Sequence, residues 1–425
     1  MTTRLRQIFE GFSIPVAAVI LGLLVSSVFV IIAGKDPVPT YELMFCEGFG
    51  SRGCETFSDL LFINVEDKDS GTSTTYFAPF YGDRGHRLAI VLERMTPLIL
   101  TALSAAVAFK AGMFSIGMDG QLNLGALAAA FLGYWLPDQI YALTGTAPDT
   151  VPEAQMMVMR LIVPFIIMCV AMLVGAVYSW IAGYLKVKLN VNELISTIIL
   201  NEIAVKFVSY MVNQPLRADF NNTARTRTID DSAWLIPFNR GLLTEVEWFS
   251  GARVGIGILI ALVAAVLIWF YLNRTTAGYE QRMTQGSRRF ALFGGIPSEK
   301  AALWAMLISG ALSGLAGSIM ILGVERRMID GFWLSGTGFD GVMVAILARE
   351  SIMGIVLVAG LFSGLNQGAI NLQFADLPRQ LGGIIISFMI LFSSMETFIR
   401  EQIARMRIRL QPRAPSPTPQ PEAGD

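Results

Sequence analysis

FSIGMDGQLNLGALAAAFLGYW, residues 114–135, decides the class of the molecule. Its second half is apolar enough for hydrocarbon, yet Asp119, Gln121 and Asn123 stand near its start among four glycines. A charge held at mid-bilayer costs at least about 2.5 kcal/mol, so such groups face the interior of a bundle or a wet cavity. Gly117 and Gly120 lie beside the acidic residue and can open the helix. Irregular backbone survives at membrane depth only inside protein or along a cavity. The stretch is therefore expected to face inward.

The rest of the chain supplies the bundle. Of its 425 residues, 53% are hydrophobic and 15% charged, with a mean hydropathy of +0.55, well above a soluble domain. Several apolar runs reach the ~20 residues that a helix needs to cross a bilayer. The short alternating segments of a barrel are absent. The expected fold class is all-α, a polytopic membrane helical bundle. Hydropathy places spans near 12–33, 88–109, 114–136, 161–184, 193–212, 252–272, 299–323, 351–372 and 380–398. Residues 12–33 are too long for the apolar part of a signal peptide and read as a retained first span. A weaker candidate, FWLSGTGFDGVMVAIL at 332–347, is short and holds Asp340 with three glycines. It either crosses fully or is a broken or re-entrant helix.

Counting that segment puts both termini on one side, with Lys110, Lys186, Lys188, the Arg-rich segment 274–289 and Arg400, Arg405, Arg407 and Arg409. Short basic connections mark the cytoplasm. The expectation is about ten transmembrane segments, one broken or re-entrant, with both termini cytoplasmic. Residues 1–410 then form one transmembrane domain, with extracytoplasmic loops at 34–87 and 213–251 and a cytoplasmic loop at 273–298. The Pro-rich tail 411–425 is nearly free of apolar residues and is expected to be disordered. Cys46 and Cys54 fall in the first loop. In an oxidising compartment they either pair across a short ring or stay free, since spacing alone does not test disulfide geometry.

Signs of an enzyme are sparse. His86 is the single histidine, whereas a metal site wants several His or Cys ligands; no metal site and no catalytic residue is expected. GGIPSEK has a lysine but not the spacing of a phosphate loop, so ATP is not bound by that route. A net charge of −1 gives no reason to expect a nucleic-acid partner.

What remains is polar groups inside apolar runs. Glu193, Thr197 and Asn201 recur every four residues and share one helical face. Such a stripe either lines a hydrophilic path or hydrogen-bonds a neighbouring helix. Glu202 and Lys206 stand in the favourable order for mutual neutralisation. Glu93, Arg94 and Glu396 lie near span ends, within reach of headgroups or water. Asp340, Asn366 and Gln367 complete the inventory. Gly310 with Gly314, and Gly364 with Gly368, have the spacing that lets helices approach closely in lipid.

The segment after residue 272 is patterned differently. Glu280, Gln281, Arg282, Arg288 and Arg289 surround Met283, Phe290, Ala291 and Phe293. This suggests a short amphipathic helix that either lies on the inner membrane face or docks a cytoplasmic partner.

Four motifs occur in order across residues 88–375: FSIGMDGQ, NELISTIILNEIA, a basic loop ending FGGI, and GFDGVMVAILAR. Together they resemble the permease subunits of bacterial ABC importers for simple sugars and nucleosides, most closely the nucleoside branch. The resemblance implies a multi-pass protein of the bacterial cytoplasmic (inner) membrane that pairs with a second permease subunit as a heterodimer. It also implies cytoplasmic ATP-binding subunits and an extracytoplasmic solute-binding lipoprotein. No cofactor is then bound by this chain, ATP being used by the partners. Residues 279–297 match the coupling loop. The match assigns Asp119, Gln121, Glu193 and Asn201 to the substrate pathway, with Asn123 and Thr197 beside them. Alanine at Asp119 or Asn201 is then expected to reduce uptake more than folding. The chain departs from the family where Glu202 follows Asn201, a place that often holds an aromatic residue. Because the family includes sugar importers, a simple sugar such as a pentose is the alternative substrate. A secondary transporter using Asp119, Glu202 or Asp340 as an ion site is the rival mechanism.

Overall fold

The computed structural model describes residues 20–50, 54, 62–66, 73–77, 83–145, 152–218, 223–238, 253–372 and 379–394. The tail 411–425, Glu396 and the outer ends of the first and last expected spans lie outside these residues.

Helix α1 is Ile20–Ile32 and α2 is Pro37–Phe49; strands β1 (Phe62–Glu66) and β2 (Ser73–Phe77) follow. Then come α3 (Asp83–Phe109), α4 (Met118–Thr144), α5 (Glu153–Leu189), α6 (Glu193–Asn213) and α7 (Ile256–Arg274). Two short helices, α8 (Thr276–Gly286) and α9 (Arg288–Phe293), precede α10 (Ser298–Ile319), which runs on as a π-helical turn, Met320–Glu325. A 3-10 turn at Phe332–Ser335, α11 (Thr337–Leu347), α12 (Ile352–Asn371) and α13 (Arg379–Ser394) complete the order. Among the described residues six helices are long and apolar enough to cross a membrane, and a seventh if α1 and α2 count as one broken span. The chain is an integral membrane protein built almost wholly of helices.

The structure forms two units, one of residues 36–383 and one of residues 1–35 with 384–425. In the smaller unit Gly22 abuts the backbone of Met389, and the rings of Phe29 and Phe388 lie 5.1 Å apart.

The larger unit is packed through small residues. A Cβ at Gly310 would overlap the carbonyl of Gly175, and one at Gly314 would overlap the carbonyl of Ala171, so α10 lies directly on α5. On its other side Gly317 meets the carbonyl of Leu122 in α4. Ser104 of α3 donates to the carbonyl of Ser309 at 2.7 Å and pairs with the Ser313 hydroxyl at 2.9 Å. Gly364 and Gly368 of α12 make room for Phe49 and for the backbone of Met44 in α2. In lipid, where apolar surface gains nothing by leaving solvent, such close backbone approach is what holds helices together.

Several expectations need correction. Residues 34–87 are not one loop: they contain α2, an antiparallel hairpin pairing Phe62 with Phe77, and the start of α3. The signals for α2 are Asp36, whose carboxylate accepts from the N–H of Val38 at 3.0 Å, and Pro37 in the first turn, a start pattern typical of helices. The hairpin also departs from a purely helical fold. Segment 273–298 holds two short helices rather than one, with Ser287 between them accepting from the N–H of Phe290. Segment 332–347, by contrast, takes the broken form that was one of its two expected alternatives, its α-helical part being 11 residues, or ~16 Å of rise, about half a hydrocarbon core.

Candidate functional site

Three helix irregularities meet at one cavity. α3 carries Pro97, which has no N–H and releases the carbonyl of Glu93 from its helical bond. α10 ends in its π turn, an irregularity that tends to collect at functional positions. α11 is separated from the preceding 3-10 turn by Gly336, at φ +63°. All three border a cavity of about 500 Å³. Its polar lining comes from Glu93, Arg94 and Thr96 on α3, Glu325 on the π turn, and Ser335, Thr337 and Asp340 around the start of α11. Ser363 and Asn366 of α12 and Arg253 ahead of α7 add to it.

The π turn is held from the segment 223–238. Leu235 N–H donates to the Leu322 carbonyl at 3.0 Å, and the Trp234 indole N–H to that of Gly323 at 3.3 Å. Arg253 donates from its guanidinium to the Val324 carbonyl and from its backbone N–H to the Glu93 carboxylate, both at 2.8 Å. The carbonyls that the π geometry displaces thus find donors beside the cavity.

The six expected pathway residues lie elsewhere. Residues 113–117 are non-helical, and α4 starts at Met118. Asn201 of α6 clamps this entry: its Nδ2 donates to the Ile116 carbonyl at 2.8 Å and its Oδ1 accepts from the Gly120 N–H at 2.9 Å. The Thr197 hydroxyl accepts from the Ile116 N–H at 3.3 Å. Asp119 reaches across to α11, accepting from the Gly338 N–H at 2.9 Å, so it caps the helix that carries Asp340. Asn123 donates to the Asp119 carbonyl at 2.8 Å. Gln121 and Asn123 are buried, and the side-chain oxygens of both lack a hydrogen-bond partner. Glu193 stands apart, paired with Lys186 at 2.7 Å. None of the six lines the cavity. Of the two readings of the Glu193–Thr197–Asn201 stripe, Thr197 and Asn201 follow the interhelical one.

Other polar residues are also relocated. Glu202 and Lys206 are exposed and form no ion pair with each other, contrary to the expected neutralisation. Glu93 and Arg94, expected within reach of headgroups or water, line the cavity. Arg253 and Glu325 were not singled out in the sequence; Pro97, four residues after Glu93, was the available signal.

In segment 276–293 Arg288 reaches Glu299 at 3.6 Å and Gln281 donates to the Tyr271 hydroxyl at 2.8 Å. Gln285 donates to Glu350 at 3.0 Å, and Lys110 pairs with the same carboxylate at 3.5 Å. Glu350 follows α11, so α8 is bonded to the turn that ends the cavity-lining helix. Glu280, Arg282 and Met283 are half-buried, whereas Arg289 is exposed. Phe290 and Phe293 are 69% and 93% exposed. Cys46 and Cys54 are joined as a disulfide with their Cα atoms 5.4 Å apart.

A family model described as the permease component of a branched-chain amino acid transport system matches residues 87–394. The chain belongs to this permease family. The permease is 33% identical to the guanosine ABC transporter permease protein NupP of Bacillus subtilis, over 74% of its own length and 83% of the relative's. It is 26% identical to the nucleoside ABC transporter permease protein NupB of Lactococcus lactis, over 93% of each chain. A glucose ABC transporter permease protein, TsgB13 of Haloferax volcanii, is 28% identical over 92% of the permease and 89% of the relative. No solved structure matches the permease.

Proposed function

We propose that this permease is the translocating subunit of an ATP-driven nucleoside importer in a bacterial cytoplasmic membrane. The observation that carries the reading is the convergence of a proline-bearing helix, a π turn and the broken start of α11 on a mixed polar cavity. Broken backbone at membrane depth is stable only where protein or a cavity receives it, and discontinuous helices often build transport sites. The names of NupP and NupB favour nucleosides; that of TsgB13 makes a sugar the second reading. Asp119, Thr197 and Asn201 serve the path by positioning α4 and α11, while the cavity residues meet the solute.

The motor is a pair of cytoplasmic ATP-binding subunits docked on residues 276–293. Their movement reaches α11 through the Gln285–Glu350 bond, and the bundle reorients around the cavity. A second permease subunit, unlike this one, completes the path, and a solute-binding lipoprotein delivers the substrate. Both termini lie in the cytoplasm and about ten segments cross. Residues 1–410 form the transmembrane domain. The Cys46–Cys54 disulfide supports this orientation, because such bonds persist in oxidising compartments.

Uptake of guanosine by cells expressing the permease with its neighbouring transport genes tests the reading. ATP-dependent uptake and co-purification of an ATPase are expected. Uptake that follows the proton or sodium gradient with ATP held constant would replace it with the ion-coupled rival.

A further inference from the structure

The cavity's polar groups divide by what already occupies them. The hydroxyls of Thr96 and Ser363 donate to backbone carbonyls within the bundle, at 2.8 and 3.0 Å. The Thr337 hydroxyl is bonded to Ser335 at 3.2 Å. The Glu93 carboxylate takes the N–H of Arg253, whose guanidinium is engaged by Val324. Two half-buried side chains differ: Asp340 and Asn366 line the cavity, and neither has a hydrogen bond or ion pair to another described side chain. A carboxyl and a carboxamide held inside a bundle without partners are costly unless water or a ligand meets them.

Their placement is enforced. The Gly338 N–H is capped by Asp119, and the Thr101 hydroxyl reaches the Thr337 carbonyl at 3.3 Å. A Cβ at Gly341 would overlap the Thr101 side chain, so α11 sits flush on α3. The first turn of α11, and Asp340 with it, therefore has little freedom to swing out of the cavity.

We propose that Asp340 and Asn366 are the substrate-contact pair of this chamber and that they hold the ribose diol of an uncharged nucleoside. The proposal rests on the importer reading above. Asp340 offers two oxygens to adjacent hydroxyls, and Asn366 adds one acceptor and a donor. Three carboxyl side chains, Glu93, Glu325 and Asp340, line the cavity against two guanidiniums, Arg94 and Arg253, a balance that favours an uncharged ligand over a phosphorylated one. The cavity volume is within the range of small-molecule sites.

The test uses the assembled transporter, with its ATPase and binding protein, in proteoliposomes. Uptake of guanosine is measured against uptake of 2′,3′-dideoxyguanosine for the wild type, Asp340→Asn and Asn366→Leu. The binding protein is the same throughout, so its own preference cancels between variants. The guanosine-to-dideoxyguanosine ratio is expected to fall about tenfold in Asp340→Asn, which replaces one acceptor oxygen by a donor amide and so loses a hydrogen bond to the diol, and less in Asn366→Leu. An unchanged ratio in the folded variants overturns the pair, even if total uptake falls. The two variants are read separately, so a folding failure in one leaves the other to decide. Wild-type vesicles that take up glucose and not guanosine would overturn the nucleoside reading itself, and the diol assignment with it.

Discussion

Two polar clusters lie in the same apolar unit, and they differ in what meets them. Around residues 116–120, Asn201, Thr197 and Asp119 bond to backbone groups that the broken chain leaves open. At the cavity, Asp340 and Asn366 face space. Sequence makes the two look alike, since Asp119 in GMDG and Asp340 in GFDG are each a lone carboxyl residue between glycines in an apolar run. The lesson is that a polar residue within a membrane bundle announces only that it avoids lipid. Whether it holds the fold or a ligand depends on its partners, and a lost partner costs the first kind stability and the second kind specificity.

The sharpest challenge to this comparison is the seam between the clusters. A Cβ at Gly338 would fall 2.7 Å from the Cα of Asp119 and 2.5 Å from its backbone nitrogen, so the backbone of α4 would have to shift. Gly338→Val is expected to lower the stability of the purified permease by about 3 kcal/mol, measured by thermal unfolding in detergent. A variant that melts like the wild type would mean that α11 is not seated on α4.

Asn201→Ala comes next. It removes a donor and an acceptor from two backbone groups at once, and each orphaned buried group costs roughly 1 kcal/mol or more. A loss of about 2 kcal/mol is expected, moderated by whatever partners the bundle offers. Asp119→Ala should cost about 1 kcal/mol, as for a lost N-cap. Asp340→Asn, with no partner to lose, should stay within about 0.5 kcal/mol. These values predict the opposite of the sequence-based expectation that alanine at Asp119 or Asn201 harms uptake more than folding. If Asp340→Asn proves the more destabilising, the distinction between the clusters collapses.

Much of the fold was legible because membrane helices declare themselves by length and hydropathy. The long runs in α3, α5, α6, α7, α10 and α12 came through with small shifts at their ends. The missed element, α2, is short and carries Glu42 and Glu47, so hydropathy alone read it as loop. Its charge is explained only in three dimensions: Glu47 pairs with Arg87 at 2.9 Å and accepts from Asn371 at 3.1 Å. For the site, the inward orientation of residues 114–135 was readable, but their partner was not. Asp119 and Gly338 are 219 residues apart, and no local pattern reports such a contact. The π turn likewise has no sequence signature, so the segment that shapes one wall of the cavity was invisible.

The smallest stability effect is expected where a side chain meets nothing. Phe293 ends α9 and is 93% exposed, with Phe290 beside it at 69%. Solvent alone gives no reason to place two large apolar rings at the end of a six-residue helix. Phe293→Ser should change the unfolding temperature of the isolated permease by no more than the scatter of surface substitutions, about 0.5 kcal/mol. In the assembled transporter it should reduce the ATPase that co-purifies, since exposed aromatic rings are strong anchors at interfaces. The cavity pair and this aromatic pair would then obey one rule, each left without a partner in the chain because its partner is another molecule. A variant that keeps its full complement of ATPase subunits would show that the rule fails at α9.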